Sequence, residues 1–214
     1  KRLAAHGVRV LVLDMNEAKG NAVAKELGGA FAKADVADEA QVQAAVDAAV
    51  RLGPLRSLVN AAGVGHAMRT VDRDGKPFDL AAFERVLRIN LVGTFNCIRL
   101  AASAMAKTAP VYADGQRGAI VNIASVAAFD GQIGQAAYSA SKGGLNMLTK
   151  VMAVEWGPYN IQVNAVCPTV ILTPMGTKVW GDPKKSGPML DKIPLHRFGM
   201  PQEGRGEGRV AAIA

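Results

Sequence analysis

"GVRVLVLDMNEAKGNAVAKELGGAFAKADV", residues 7–36, decides the fold. Residues 7–14 form a continuous apolar run closed by Asp14, without the polar alternation of a strand that has one wet face. "NEAKGNAVAKELGG", residues 16–29, then spaces its apolar positions as a helix does and stops at glycine. "AFAKADV", residues 30–36, is apolar again. Strand, helix and strand in so short a span imply two parallel strands joined by a helical crossover.

The pattern repeats outward. "EAQVQAAVDAAVRLG", residues 39–53, is an amphipathic helix ended by Gly53 and Pro54, and "LRSLVNAAG", residues 55–63, gives a third strand. Residues 66–78 form a polar loop, and residues 79–107 keep helical periodicity for about eight turns. "GAIVNIAS" (118–125) is a strand, 135–157 a helix and "IQVNAVC" (161–167) a strand. The expected fold is a single α/β domain over residues 1–214, a doubly wound parallel sheet with helices on both faces. "KRLAAHG" reads as the last turns of a helix stopped by Gly7, with no strand before it. "MPQEGRGEGRVAAIA" opens like a helix, but Gly204, Gly206 and Gly208 each cost it about 1 kcal/mol. The domain is therefore expected to lack its first and its closing strand and to end in an atypical Gly-rich tail, residues 199–214. The first residue is Lys1 rather than Met, so a native start is expected upstream and a targeting peptide is left open.

With 214 residues and 50% hydrophobic content, the chain can bury a core. Its net charge of +7 is scattered, with only end clusters such as "RGEGR", so a solvated surface is expected and not a nucleic-acid stripe. No apolar run reaches the roughly 18 residues of a membrane span, so no membrane partner is expected. Cys97 and Cys167 lie in apolar stretches without metal-ligand spacing, which points to reduced thiols and a cytoplasmic setting.

In an open parallel sheet, ligands bind beyond the carboxyl ends of the strands. Asp14 stands at one such end, suited to accept hydrogen bonds from the adenosine-ribose hydroxyls of NAD and to repel the extra phosphate of NADP; a plain helix-start acid is the alternative. Asp35 and Val36 follow the next strand. Asn60, Ala61 and Gly63 follow the third, small enough to let a nucleotide approach the backbone. Ser125 ends the fourth, with a turn or helix cap as its other reading. Pro168 and Thr169 end the last, with Thr173 beyond them. Tyr138 and Lys142 share one face of a helix, four residues apart. Gln132 is a solvated loop residue by default, with substrate contact as the alternative.

Asp14, Asp35-Val36, "NAAG", Asn90 in "RINLVG", Ser125, "YSASK" and "CPTVILT" together resemble the short-chain dehydrogenase/reductase family over nearly the whole chain. Ser125 lies thirteen residues before Tyr138, as the resemblance requires. Residues 1–144 look like the type 2 3-hydroxyacyl-CoA dehydrogenases, and residues 145–198 like the L-xylulose reductase and polyol dehydrogenase branch. The family's glycine-rich turn, which presents backbone amides to the cofactor pyrophosphate, does not occur in this chain, so weak dinucleotide binding is expected.

The resemblance implies NAD-dependent hydride transfer between a secondary alcohol and a ketone. Tyr138 would be the acid/base, with its pKa lowered by the Lys142 cation. Lys142 would also hold the nicotinamide ribose, Ser125 would bond the substrate oxygen, and Asn90 would place a relay water or serve a structural role. Ser139, Ala140 and Ser141 are expected to leave room for the cofactor. After Lys142 the helix carries two apolar stripes, Leu145, Leu148 and Met152 and then Met147, Val151 and Val154, so one faces the sheet and the other a partner. A homo-oligomer, dimer or tetramer, is expected. The competing expectation is a catalytically silent truncated domain that acts by binding.

Overall fold

The computed structural model describes residues 1–111 and 113–201. A short helix α1 (Arg2–Ala5) ends at Gly7 with φ 79°, followed by β1 (Leu11–Asp14), α2 (Glu17–Leu27), β2 (Ala30–Lys33), α3 (Glu39–Leu52) and β3 (Ser57–Asn60). Next come α4 (Leu80–Leu87), a π turn over Arg88–Gly93, α5 (Thr94–Ala106), β4 (Gly118–Ile123), α6 (Ala136–Trp156), β5 (Ile161–Val166), α7 (Pro174–Trp180) and α8 (Pro183–Leu190). The starts of α2 and α3 are chemically marked. Asn16 accepts from the Lys19 N–H and Asp38 from the Gln41 N–H, each satisfying an amide that the helix leaves unbonded.

Every strand pair is parallel: β1 with β2, and β3, β4 and β5 in that order. The helices do lie on both faces. Phe31 of β2 faces α2, for a Cβ added at Gly20 would stand 2.0 Å from its ring, whereas Leu13 of β1 packs with Val36 and Val42 on the α3 side. The three-stranded part packs Ile120, Ile161 and Val163 against Ile98, Ala101, Met105 and Met152 of α5 and α6. Burying one such large side chain contributes about 1.5–3 kcal/mol.

Three findings differ from the sequence reading. The sheet is in two parts, and no ladder joins β1 to β3 among the described residues, although Leu13 and Leu58 share one cluster over α3 and α5. The long helix of residues 79–107 is interrupted by the π turn. Gly93 lets that turn close on Val36, where a Cβ would fall 2.5 Å from Val36 Cγ2. Leu80–Ala106 as a whole is also long and apolar enough by composition to cross a membrane, although Glu84, Arg85, Arg88 and Arg99 break its apolar run. It is a core helix here: Ile98, Ala101, Ala102 and Met105 are buried, beside the inward polar groups Asn90, Thr94 and Asn96. Of the Gly-rich tail, residues 199–201 are described, with Gly199 bridged to Ile171; residues 202–214 lie outside the described residues.

Candidate active site

The pairing of β4 and β5 runs past the strand ends. Ala124 N–H donates to the Val166 carbonyl at 2.9 Å and Val126 N–H to Pro168 at 3.0 Å, which sets Ser125 beside Pro168. Ser125 also accepts from Ala127 N–H at 3.2 Å, capping the turn Val126–Ala128. It is thus a cap, and it also stands near enough to Tyr138 to draw the phenol's pKa down.

The helix α6 starts at Ala136, so Tyr138 and Lys142 occupy its first two turns. Lys142 is 5% exposed, and its Nζ lies 5.6 Å from the centre of the Tyr138 ring and donates to the Ile123 carbonyl at 2.6 Å. A surface pair would have neither the burial nor the anchor. Burial pushes the phenol of Tyr138 above its ordinary range, and nearby Ser125 pulls part of that back. Burial lowers the Lys142 pKa, opposed by nearby Cys167. The expected lowering of the phenol by Lys142 is therefore not found in the resting chain: burial disfavours phenolate, and it is Ser125 that opposes the rise.

Asn90 sits in the π turn, fully buried. Its Nδ2 donates to the Val64 carbonyl at 2.9 Å and to Ser141 Oγ at 3.1 Å, and its Oδ1 accepts from Val64 N–H at 2.8 Å. No side-chain N–H remains to hold a water, so a relay through Asn90 has only its main-chain carbonyl, which accepts from Thr94 Oγ1 at 2.8 Å. Gly63 lies alongside: a Cβ there would stand 3.3 Å from Asn90 Oδ1 and 3.8 Å from Lys142 Nζ.

The other expected cofactor residues divide. Asp14 is exposed at the end of β1 with Oδ1 accepting from Asn16 N–H at 2.7 Å, and Asp35 Oδ1 accepts from Ala37 N–H at 2.9 Å. Ala61 and Thr169 are exposed. Val36 belongs to the core, and its carbonyl accepts from Asn96 Nδ2 at 3.0 Å. Asn60 is likewise core: its Nδ2 donates to Asn122 Oδ1 at 2.9 Å, and Asn122 Nδ2 donates to Thr149 Oγ1 at 3.0 Å. Thr173 caps α7 by accepting from Gly176 N–H at 3.1 Å. Ser141, expected only to be small, is fully buried and hydrogen-bonded; its spacing from Tyr138, i to i+3, is one at which a helical hydroxyl bonds a carbonyl. A groove of about 380 Å³ runs along β5 by Gln116, Gln162 and Asn164, away from Tyr138.

For a dinucleotide, the open wall at Gly63 beside the Lys142 ammonium fits a ribose and nicotinamide, and the exposed Asp14 carboxylate fits an adenosine ribose. The sequence contains no glycine-rich turn for the pyrophosphate between them.

The short chain dehydrogenase family profile matches residues 1–184. The type-2 3-hydroxyacyl-CoA dehydrogenase of Mus musculus is 41% identical over 209 residues, 95% of this chain and 78% of that protein. The L-xylulose reductase of Bos taurus is 36% identical, over 92% of this chain and 76% of that protein. A crystal structure of a gluconate 5-dehydrogenase from Burkholderia cenocepacia J2315, in complex with NADP and tartrate, superposes with a TM-score of 0.82 at 32% identity, covering 94% of this chain and 77% of that one. The chain therefore belongs to the short-chain dehydrogenase/reductase family and is an oxidoreductase acting on alcohol or ketone groups.

Proposed function

We propose that the chain interconverts a secondary alcohol and a ketone with NAD(H), using Tyr138 as acid/base, Lys142 as its cation and Ser125 as the hydrogen-bond partner of the substrate oxygen. The observation that carries this reading is the buried Lys142 ammonium, 5.6 Å from the centre of the Tyr138 ring and anchored on the Ile123 carbonyl. Bound nicotinamide would supply or take up the hydride. In the reductive direction Tyr138 gives its O–H proton to the carbonyl oxygen, and the Lys142 charge stabilises the phenolate left behind. The exposed Asp14 carboxylate supports NAD over NADP by charge repulsion, and a comparison of the two cofactors tests it. Both 3-hydroxyacyl-CoA and small polyol or keto-sugar substrates stand as candidates, to be separated by a substrate panel. Tyr138→Phe, assayed against the best of that panel, should cost turnover about 10²–10⁴-fold while nucleotide binding persists; retained turnover would overturn the assignment.

Two further readings belong to this proposal. Free Cys97 and Cys167 support a reducing, cytoplasmic setting, which fractionation of the source cell would check. The exposed stripe on α6 supports a homo-oligomer. A second function, a binding domain without catalysis, is favoured by the break between β1 and β3; micromolar NADH affinity in calorimetry argues against it.

A further inference from the structure

We infer that Ser141 is a positioning residue: its hydroxyl ties the first turn of α6, which carries Tyr138, to the buried amide of Asn90 and through it to the loop after β3. The inference rests on the proposed role of Tyr138 but uses different atoms. Ser141 Oγ donates to the Tyr138 carbonyl at 2.7 Å and accepts from Asn90 Nδ2 at 3.1 Å. The second N–H of that amide goes to the Val64 carbonyl at 2.9 Å, and its oxygen takes the Val64 N–H at 2.8 Å. Ser141 and Asn90 are both 0% exposed, so water cannot replace either partner.

Both ends of this circuit are walls of one space. At one end the bond to the Tyr138 carbonyl fixes the turn from which the phenol projects. At the other, Val64 follows Gly63, where a side chain would stand 3.8 Å from Lys142 Nζ. One amide and one hydroxyl therefore set the placement of the Gly63 wall relative to Tyr138. Alanine or glycine at position 141 would supply the same room, but neither can accept the Asn90 N–H.

The test uses the whole chain with Ser141→Ala and Ser141→Cys, read by amide hydrogen exchange and by titration of ¹³C-labelled tyrosine, with Tyr138→Phe assigning the resonance. In S141A, exchange of the Val64 amide should quicken about tenfold relative to the Ile120 amide of β4, the rate equivalent of one lost hydrogen bond, and the Tyr138 titration should move. S141C fills the serine's space with a weak acceptor and should behave as S141A does; it also serves if S141A fails to fold. The inference is overturned by unchanged Val64 exchange, by equal quickening at Val64 and Ile120, or by wild-type behaviour in S141C, which would make Ser141 a space filler. These results need no turnover. Tyr138→Phe that kept turnover would sink the proposed chemistry and leave the Val64 result standing.

Discussion

The Lys142 ammonium donates to the carbonyl of Ile123 at 2.6 Å, so the last residue of β4 holds the cation two residues before Ser125. One strand end thereby fixes both of the groups proposed to act with Tyr138. Lys142→Met keeps most of the side chain's bulk and removes the charge. Turnover should fall by about 10² or more, since the phenolate loses the counter-charge beside it. Ile123 also loses a donor, so stability should drop by about 1–3 kcal/mol. Steady-state kinetics and thermal unfolding on the same preparation separate the two effects.

The pH dependence has a sign set by Tyr138. Burial raises its pKa above the ordinary value of about 10, so the phenol keeps its proton throughout the neutral range. Ketone reduction, which spends that proton, should be flat through neutrality and decline only at strongly alkaline pH. Alcohol oxidation, which needs the phenolate, should climb across the same alkaline range. Initial rates in both directions check this; an oxidation rate that levels off near pH 7 would show that the resting phenol is not raised.

The buried polar chain from Asn60 to Asn122 to Thr149 ties β3 and β4 to α6. Thr149 Oγ1 donates onward to the Leu145 carbonyl at 2.8 Å, closing the chain. Asn122→Ala leaves Asn60 Nδ2 without its acceptor and Thr149 without its donor, in a site that water cannot reach. Destabilisation by about 2–4 kcal/mol is expected, measured by urea unfolding. Asn122→Leu should do no better, because the partners stay unpaired.

The strands and major helices were legible because their signals are local: apolar runs with turn residues at their ends, and caps such as Asn16 and Asp38. The π turn was not, since one extra residue in a helical register leaves the surrounding periodicity intact. Its cause is tertiary, with Gly93 against Val36 and Asn90 reaching Val64 and Ser141. Helices α7 and α8 are marked in the sequence by a capping residue followed by proline, in Thr173-Pro174 and Asp182-Pro183. Tyr138, Lys142 and Ser125 stood out by their spacing. Asn60 stood out equally and proved to be core, because position at a strand end does not reveal which way a side chain turns.

The two cysteines should differ in reactivity. Cys97 is 5% exposed and burial pushes its thiol up to about 11, so at pH 8 about one molecule in a thousand carries the thiolate. Cys167 is half-buried at the end of β5. Iodoacetamide on the native chain should label Cys167 alone, and both in urea, as read by peptide mass; labelling of Cys97 first would contradict the burial described.

On α6, Leu145 and Met152 are buried against the sheet, whereas Met147, Val151 and Val154 are 60, 42 and 79% exposed on one side of the same helix. Three apolar residues at helical spacing in water have no folding reason to be there, since a polar residue would serve as well. A second copy of the chain would bury them. Val151→Glu with Val154→Glu places charges in any such contact while leaving the sheet face of α6 untouched. The wild-type chain should sediment as a dimer or tetramer at micromolar concentration and the double variant as a 22.3 kDa monomer, with circular dichroism unchanged. A monomeric wild type would overturn the oligomer and leave the stripe unexplained. An oligomeric double variant would move the interface to another face.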